Sequence, residues 1–277
     1  MARFAVIGQP VAHSRSPEIH EAFARQFGIT LRYERLAAPV DGFEAAAEAF
    51  FRAGGAGLNV TLPFKAEACA WVTAADAAAQ AAGAVNTIVP LDGGYTGYNT
   101  DGLGLVRDLQ ENRGLKLRGL RVLMLGAGGA AAGALGPLLG EGPATLALAN
   151  RTEARAHALA ERFPGVTPVS LTALDGPWDL IINATALGTR ADEEMTFERL
   201  LPPALLGGAF AYDMFYGAAA RFAPYAAAQG AAGVADGLGM LVEQAAAAFT
   251  LWHGRTPDTA QVIAALRGNQ EPPRAQH

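Results

Sequence analysis

The stretch "LRVLMLGAGGAAAGALGPLL", Leu120 to Leu139, limits the fold more than any other part of the chain. A short apolar run stops at a glycine cluster, and a small-residue helix pattern follows at once. Gly126-Ala127-Gly128-Gly129-Ala130-Ala131 fits G-x-G-x-x-A in the strand-to-helix setting the motif requires. Gly126 permits the tight turn, Gly128 admits a pyrophosphate against the backbone, and Ala131 lets helix and strand pack closely. The amides of the following helix start then offer positive partial charge to phosphate. In so glycine-rich a chain the loop also has a plain packing reading, but its context favours a dinucleotide.

The next strand, "ATLALAN", ends at Asn150. An acid at such a strand end would accept from a ribose 2′-hydroxyl and repel a 2′-phosphate. Here Asn150 and Thr152 are neutral, and Arg151 and Arg155 offer guanidinium forks that pair strongly with phosphate. The reading is NADP(H) over NAD(H); the alternative is an exposed helix start with two solvated arginines.

Strands and helices alternate on both sides of this unit, which predicts an α/β fold. "RFAVIGQP" reads as a strand, and "SPEIHEAFARQFG" as a helix with Ser16 as N-cap, Pro17 in the first turn and Gly28 as terminator. "LRYERLAA" and "GAGLNVTL" are further strands, with a helix between them and an Ala-rich helix running on to Ala82. "GAVNTIVPLDGGYTGYNTDG" predicts a hairpin turning at Asp92-Gly93-Gly94. Residues 1–100 therefore form one α/β domain, and a helix from Gly102 to Asn112 leads into a second. Residues 101–236 read as a Rossmann-like series, with further strands in "WDLIINATALG", "AFAYDMFYG" and "GAAGVAD". Residues 237–268 hold a long apolar helix and a second helix started at Thr256-Pro257; 269–277 read as a frayed tail.

Composition narrows the function. The chain of 277 residues is 51% hydrophobic and 17% charged, as expected of a globular protein. It carries no apolar run long enough to span a bilayer and no signal-peptide pattern, so a soluble cytoplasmic protein is expected. Cys69 is the single cysteine, which excludes an internal disulfide and a Cys-rich metal site; no metal is expected. A net charge of −5 without a basic block argues against a nucleic-acid surface. Against 19 arginines stand two lysines, Lys65 and Lys116. Lysine is the cation whose proton can come and go, so a lysine kept in an arginine-writing chain is a candidate proton carrier.

The first domain holds polar residues at telling places. "NVTLPFK" puts Asn59 and Thr61 on one side of a strand, with Lys65 just past the break at Pro63. "HSRSP" sets Ser14 and Ser16 beside a helix start, a cradle for a carboxylate. "GAVNT" adds Asn86, and "YNTDG" puts Asp101 at a helix head. Each also has an ordinary reading: Ser16 and Asp101 as caps, Asn86 as a turn residue.

The motifs "GQPVAHSRSPEIH", "NVTLPFK", "GAVNT", "YNTDG", "GAGGA", "NRT", "NAT" and "GLGMLVEQAA" occur in the order and spacing of the shikimate dehydrogenase family, which the chain resembles from Phe4 to Gly268. The resemblance implies an N-terminal substrate domain, a Rossmann-like NADP domain and C-terminal helices returning to the first domain. It implies that Ser14 and Ser16 bind a substrate carboxylate, and that Asn59, Thr61, Lys65, Asn86, Asp101, Tyr216 and Gln244 line the same site. On the cofactor side it implies the loop from Gly126 to Ala130, the "NRT" residues, Thr185 of "NAT", and Met214 and Gly237 near the nicotinamide. Two departures stand out: Gly217-Ala218-Ala219-Ala220 replaces the Asn-Pro and Thr often found after the tyrosine, and Glu21 stands where Asn is frequent.

What the resemblance implies for activity is reversible reduction of 3-dehydroshikimate to shikimate with NADPH, in aromatic amino-acid biosynthesis. Lys65 would donate the proton and take it back in reverse, with Asp101 orienting it. Substrate is expected in a cleft between the domains, in a monomer or homodimer. The alternatives are a quinate/shikimate dehydrogenase of broader specificity, a non-catalytic ligand-binding paralogue and an unrelated Rossmann reductase.

Overall fold

β1 (Ala2–Gly8) runs between two parallel neighbours, β2 (Leu31–Ala37) and β3 (Gly55–Val60), and its last five residues are buried. A strand covered on both faces reads as a continuous apolar run, which is why "FAVIG" shows no alternation. This computed structural model describes residues 1–91, 93–187 and 196–268. Its contacts divide the chain into two units: Met1–Gly104 with the chain from Leu241 onward, and Leu105–Met240.

In the first unit the strands are joined by α1 (Ser16–Gln26) and α2 (Phe43–Arg52). After β3 come α3 (Lys65–Trp71), β4 (Ala74–Ala75) and α4 (Ala77–Ala82), then β5 (Thr87–Leu91) and β6 (Gly94–Tyr98). The sheet order is β2-β1-β3-β5-β6-β4, with β5 antiparallel to both β3 and β6. The β5–β6 hairpin forms as expected; of its turn, Asp92 lies outside the described residues, and Gly93 has φ +88°.

The Ala-rich stretch is two helices rather than one. The β-branched pair Val72-Thr73 breaks it, and Asp76 restarts it by accepting the Ala79 amide at 2.7 Å. Alternation along β3 sorts its side chains: Leu58 and Val60 enter a core with Phe43, Phe50 and Phe64, while Gly57 and Asn59 face the other way. On that other face Phe4, Val6 and Tyr33 pack with Trp252. A Cβ on Gly57 would collide with the Trp252 indole, which accounts for the glycine.

α5 (Asp101–Arg107) passes into a π-helical segment, Asp108–Asn112, where one regular helix to Asn112 is expected from sequence. The second unit then runs β7 (Arg121–Leu125), α6 (Gly129–Gly140), β8 (Thr145–Ala149), α7 (Glu153–Arg162) and β9 (Val166–Val169). Next come β10 (Leu180–Asn183), α8 (Phe197–Leu200), α9 (Pro203–Leu206) and β11 (Phe210–Asp213). α10 (Phe222–Ala228) and β12 (Gly233–Asp236) complete it. All six strands are parallel in the order β12-β11-β10-β7-β8-β9, the doubly wound arrangement of dinucleotide-binding sheets.

α11 (Leu238–His253) and α12 (Ala260–Gly268) end the described chain. The chain passes between the units inside α5 and α11, at Gly104/Leu105 and Met240/Leu241. α12 starts at Ala260 and not at Thr256-Pro257, because the Asp258 carboxylate accepts the Ala260 amide at 2.9 Å. Gln26 of α1 exchanges two 2.8 Å hydrogen bonds with the Asp258 backbone, so the C-terminal helices pack on α1. Residues 269–277, the expected tail, lie outside the described residues.

Candidate active site

Lys65 and Asp101 meet. Lys65 Nζ donates to Asp101 Oδ2 at 2.5 Å, and both side chains are largely buried. Each opens a helix, Lys65 that of α3 and Asp101 that of α5. A helix start favours the carboxylate and opposes the ammonium, so the carboxylate is what holds the cation in place. Asp101 is free to do this because it does not cap its own helix: Asn99 Oδ1 takes the Asp101 amide at 3.1 Å.

Asn86 holds the other oxygen of Asp101. Its Nδ2 donates to Asp101 Oδ1 at 2.8 Å and lies 3.3 Å from Gln244 Oε1. Asn59, opposite Thr87 across the β3–β5 ladder, donates to Thr87 Oγ1 at 3.0 Å and to the Asn86 carbonyl at 3.1 Å. Five of the predicted residues, Asn59, Lys65, Asn86, Asp101 and Gln244, are thus joined into one network. Thr61 is half-buried on the extended segment between β3 and α3, where its amide donates to the Ile7 carbonyl at 2.9 Å.

The two serines lie together, with Ser14 Oγ donating to Ser16 Oγ at 3.1 Å. Ser16 is not the N-cap. It is the first helical residue, Arg15 takes the cap position, and the Ser16 amide donates to Ser14 Oγ at 3.3 Å. A hydroxyl two residues back reaches this amide without the chain leaving its turn. Gly28 ends α1 as expected, in the left-handed region at φ +64°. Arg35 Nε fixes the loop from outside by donating to the Ser14 carbonyl at 2.8 Å.

In the second unit Gly126 turns at φ +104°, and a Cβ there would lie 3.0 Å from the Ala184 backbone and 2.8 Å from Thr185 Cγ2. Gly128 and Gly129 face open space, with no heavy atom within 4 Å of an added Cβ. α6 starts at Gly129 with no side-chain cap, so its first amides have no partner within the helix. The Ala127 amide is committed: it donates to Asn150 Oδ1 at 3.1 Å, and Asn150 Nδ2 donates to the Thr152 carbonyl at 2.8 Å. Asn150 therefore clamps the loop to the end of β8.

Arg151, Thr152 and Arg155 are exposed, and neither arginine forms a salt bridge among the described residues. A cavity of about 190 Å³ opens beside them, lined in part by Gly126, Asn150, Arg151, Thr185 and Leu187. It sits at the carboxyl ends of β7, β8 and β10, where the strand order reverses and such sheets bind ligands. Open glycines, uncapped amides and unpaired guanidiniums suit the pyrophosphate and 2′-phosphate of NADP(H).

The remaining predicted cofactor residues cluster at the ends of β10 and β11. Asn183 Oδ1 accepts from the Thr185 hydroxyl at 2.6 Å and its amide at 3.0 Å, while Asn183 Nδ2 donates to Asp213 at 3.1 Å. Asp213, fully buried, also accepts the Phe215 and Phe222 amides at 3.1 and 2.8 Å. Burial raises its carboxyl above the usual range, with the two amides pulling it back. Met214 and Gly237 touch: a Cβ on Gly237 would overlap the Met214 carbonyl. Tyr216 stands before the short helix Gly217–Ala219, in the second unit. Gly217 has φ +61°, in the left-handed region that glycine enters without a Cβ clash.

Several structural partners escape a sequence reading. Tyr33, Thr87 and Thr100 belong to the Lys65 network, and Asp213 and Asn183 to the cofactor side. Asp108, fully buried, accepts from the Tyr212 hydroxyl at 2.7 Å, and a Cβ on Gly239 would overlap its carboxylate, which explains the second glycine of "GLGM". For Asp213 the signal is a lone acid in the apolar run "AFAYDMFY"; Asp108, in the mixed stretch "VRDLQEN", carries no such signal. A larger surface groove of about 660 Å³, between α1 and α12, is lined by Glu21 and Arg25 but by none of the predicted site residues. Among the described residues no group of three His, Cys, Asp or Glu side chains could hold a metal, and no helix is long and apolar enough to cross a membrane.

Comparison with known proteins gives the same picture along the chain. Residues 6–88 match the family model described as shikimate dehydrogenase substrate binding domain, 108–212 that of shikimate / quinate 5-dehydrogenase, and 237–267 the shikimate 5′-dehydrogenase C-terminal domain. A shikimate dehydrogenase (NADP(+)) of Aromatoleum aromaticum is 53% identical, covering 96% of each chain. One from Alkalilimnicola ehrlichii is 49% identical over 96% of this chain and 98% of its own. The structure of shikimate 5-dehydrogenase from Thermus thermophilus in complex with NADP(H) and shikimate superposes with a TM-score of 0.85, at 36% identity, covering 97% and 99% of the two chains. With matches in both units and relatives of nearly equal length, the chain belongs to the shikimate dehydrogenase family.

Proposed function

We propose that the chain catalyses the reversible, NADPH-dependent reduction of 3-dehydroshikimate to shikimate, a step of aromatic amino-acid biosynthesis. The observation that carries this reading is the 2.5 Å contact of Lys65 Nζ with Asp101 Oδ2, held from behind by Asn86. Bound NADPH supplies the hydride. As the ketone carbon is reduced, negative charge grows on its oxygen, and a proton must reach that oxygen. Lys65 gives up this proton from Nζ, and Asp101 keeps the ammonium aimed and takes part in its recharging. In the oxidative direction Lys65, deprotonated, removes the proton from the alcohol.

Ser14 and Ser16 bind the carboxylate of the substrate through their paired hydroxyls, and Thr61, Tyr216 and Gln244 contact the ring hydroxyls. Asn59 and Asn86 line that site but act chiefly through their protein partners. The loop from Gly126 to Ala130 holds the pyrophosphate, with Asn150 as its clamp; Arg151, Thr152 and Arg155 take the 2′-phosphate. Thr185, Met214 and Gly237 shape the nicotinamide end. On this reading residues 1–100 and 237–268 carry substrate, residues 101–236 carry cofactor, and the protein works in the cytoplasm as a monomer or homodimer.

The test follows absorbance of the reduced nicotinamide with shikimate or quinate, each offered with NADP or NAD. Turnover is expected to be fastest with shikimate and NADP. Absence of turnover with that pair overturns the proposal, and faster turnover with quinate transfers it to the broader quinate/shikimate class.

A further inference from the structure

Behind the Lys65–Asp101 pair lies a buried row of polar groups to which the proposed reaction assigns no role. Tyr33 on β2 is 6% exposed, and its hydroxyl reaches across β1 to Asn59 Oδ1 at 2.6 Å. Asn59 Nδ2 donates to Thr87 Oγ1 at 3.0 Å, and Thr87 Oγ1 donates to Asn86 Oδ1 at 3.0 Å. Asn86 Nδ2 donates to Asp101 Oδ1 at 2.8 Å. Thr87 itself is fully buried.

Two backbone groups fix the direction of every link. The Asn86 carbonyl can only accept, so the Asn59 atom facing it at 3.1 Å is Nδ2, and Oδ1 is turned to Tyr33. The Thr100 amide can only donate, so the Asn86 atom facing it at 2.9 Å is Oδ1, and Nδ2 is turned to Asp101. The Thr87 hydroxyl, already accepting from Asn59, has its proton left for Asn86 Oδ1. Every donor therefore points the same way, from Tyr33 toward the Asp101 carboxylate. Aligned hydrogen bonds in a water-free interior polarise one another, so the last donor is a better partner for a negative charge than an isolated amide.

We infer that Tyr33 and Thr87 are positioning residues for the Lys65–Asp101 pair, acting through a one-way chain of hydrogen bonds that runs through Asn59 and Asn86 to the Asp101 carboxylate. The inference rests on the proton-transfer role proposed for Lys65 and Asp101. Neither Tyr33 nor Thr87 needs to touch substrate; the backbone fixes which face each amide shows, and Tyr33 and Thr87 add the aligned donors that polarise the row toward Asp101. Lys65 is the charged group bonded to Asp101 among the described residues, and His20, stacked on Tyr33 with ring centroids 4.5 Å apart, is the titratable neighbour at the far end.

The test compares Thr87→Val, which keeps the branched shape and loses the hydroxyl, with Thr87→Ser, which keeps the hydroxyl. Thr87→Val is expected to lower kcat by about tenfold to a hundredfold, because Asn86 Oδ1 keeps the Thr100 amide but loses the aligned hydroxyl donor, and Asn59 Nδ2 loses one of its two acceptors. The KM for shikimate should stay within about twofold, because the carboxylate and ring-hydroxyl contacts are untouched. Thr87→Ser should restore most of kcat, and Tyr33→Phe should reproduce the loss in weaker form. In 15N spectra the Asn86 side-chain amide should shift and lose exchange protection in Thr87→Val but not in Thr87→Ser. A wild-type kcat in Thr87→Val, or equal loss in Val and Ser variants, overturns the inference. If Thr87→Val does not fold, Tyr33→Phe decides by the same readouts. If the wild-type protein fails to turn over shikimate with NADP, the proposed function falls; the Asn86 signals still decide whether the chain of bonds exists.

Discussion

The Lys65 network and the Gly126 loop handle charge in opposite ways. Around Lys65 the polar atoms are buried and bonded to one another: Asp101 to Lys65 and Asn86, Asn86 to Thr87 and Thr100, Asn59 to Tyr33. Around Gly126 the helix start is uncapped, two glycines face open space, and Arg151 and Arg155 lie exposed without salt bridges among the described residues. On the proposed function, the difference follows from what each holds. Proton transfer needs one side chain aimed at one atom, so its geometry is fixed before the ligand comes. Phosphate can be met by free amides and mobile guanidinium groups, which complete their bonds only when it arrives.

That contrast can be broken at either end. The largest effect is expected from Lys65→Met, which removes the proposed proton donor and should cut kcat by about a hundredfold to ten-thousandfold while NADP binding by fluorescence stays unchanged. Lys65→Arg keeps the charge and should be nearly as impaired, because guanidinium does not readily give up its proton. Wild-type turnover in either variant would remove Lys65 from the chemistry.

Acid should loosen the closed region through His20. Burial and the nearby His253 push His20 from 6.5 down to about 3, against an opposing pull from Asn59. The unfolded chain therefore takes up a proton near pH 6.5 that the native protein refuses until about 3. The stability tied to neutral His20 is fully present above pH 6.5 and is lost as pH falls toward 3, at about 1.4 kcal/mol per pH unit within that window. Urea midpoints at pH 6.5 and 4.5 should show this slope, and His20→Phe, which keeps the stack on Tyr33, should flatten it.

At the open end, Arg151→Glu should raise the KM for NADP by about tenfold or more, through loss of a charge-assisted pair and gain of repulsion. The KM values for shikimate and NAD should move little. The smallest effect is salt: exposed cations are screened and buried pairs are not, so raising ionic strength should raise the KM for NADP by only about a few-fold and leave kcat nearly constant. A kcat as salt-sensitive as that KM would erase the distinction between the two regions.

How legible these regions are in sequence differs for the same physical reason. The Gly126 loop is local: strand, turn and helix start are consecutive, and the strand end that answers it reads as a continuous motif. The Lys65 network is not. Tyr33 and Asn59 are 26 residues apart, Asn59 and Thr87 are 28 apart, and only the β2-β1-β3-β5 register brings them together. Periodicity places Asn59 on a face but does not name what faces it. Short elements were lost to weak signals: β9, "VTPV", lies at the sheet edge and holds a proline, and the π-helical turn at Asp108 has the apolar spacing of an ordinary helix. The Ser16 and Thr256-Pro257 expectations failed because a neighbouring side chain, Ser14 or Asp258, reached the free amide first.

The scarcity of lysine has a practical consequence. Lys116 is exposed on the segment leading into β7, while Lys65 is tied to Asp101. Besides the Met1 α-amine, reagents that acylate primary amines therefore find one accessible side chain, at the end of β7 opposite the glycine loop. A fluorophore or surface tether attached there reports on the protein, or immobilises it, without recoding the gene and without blocking the carboxyl ends of the strands.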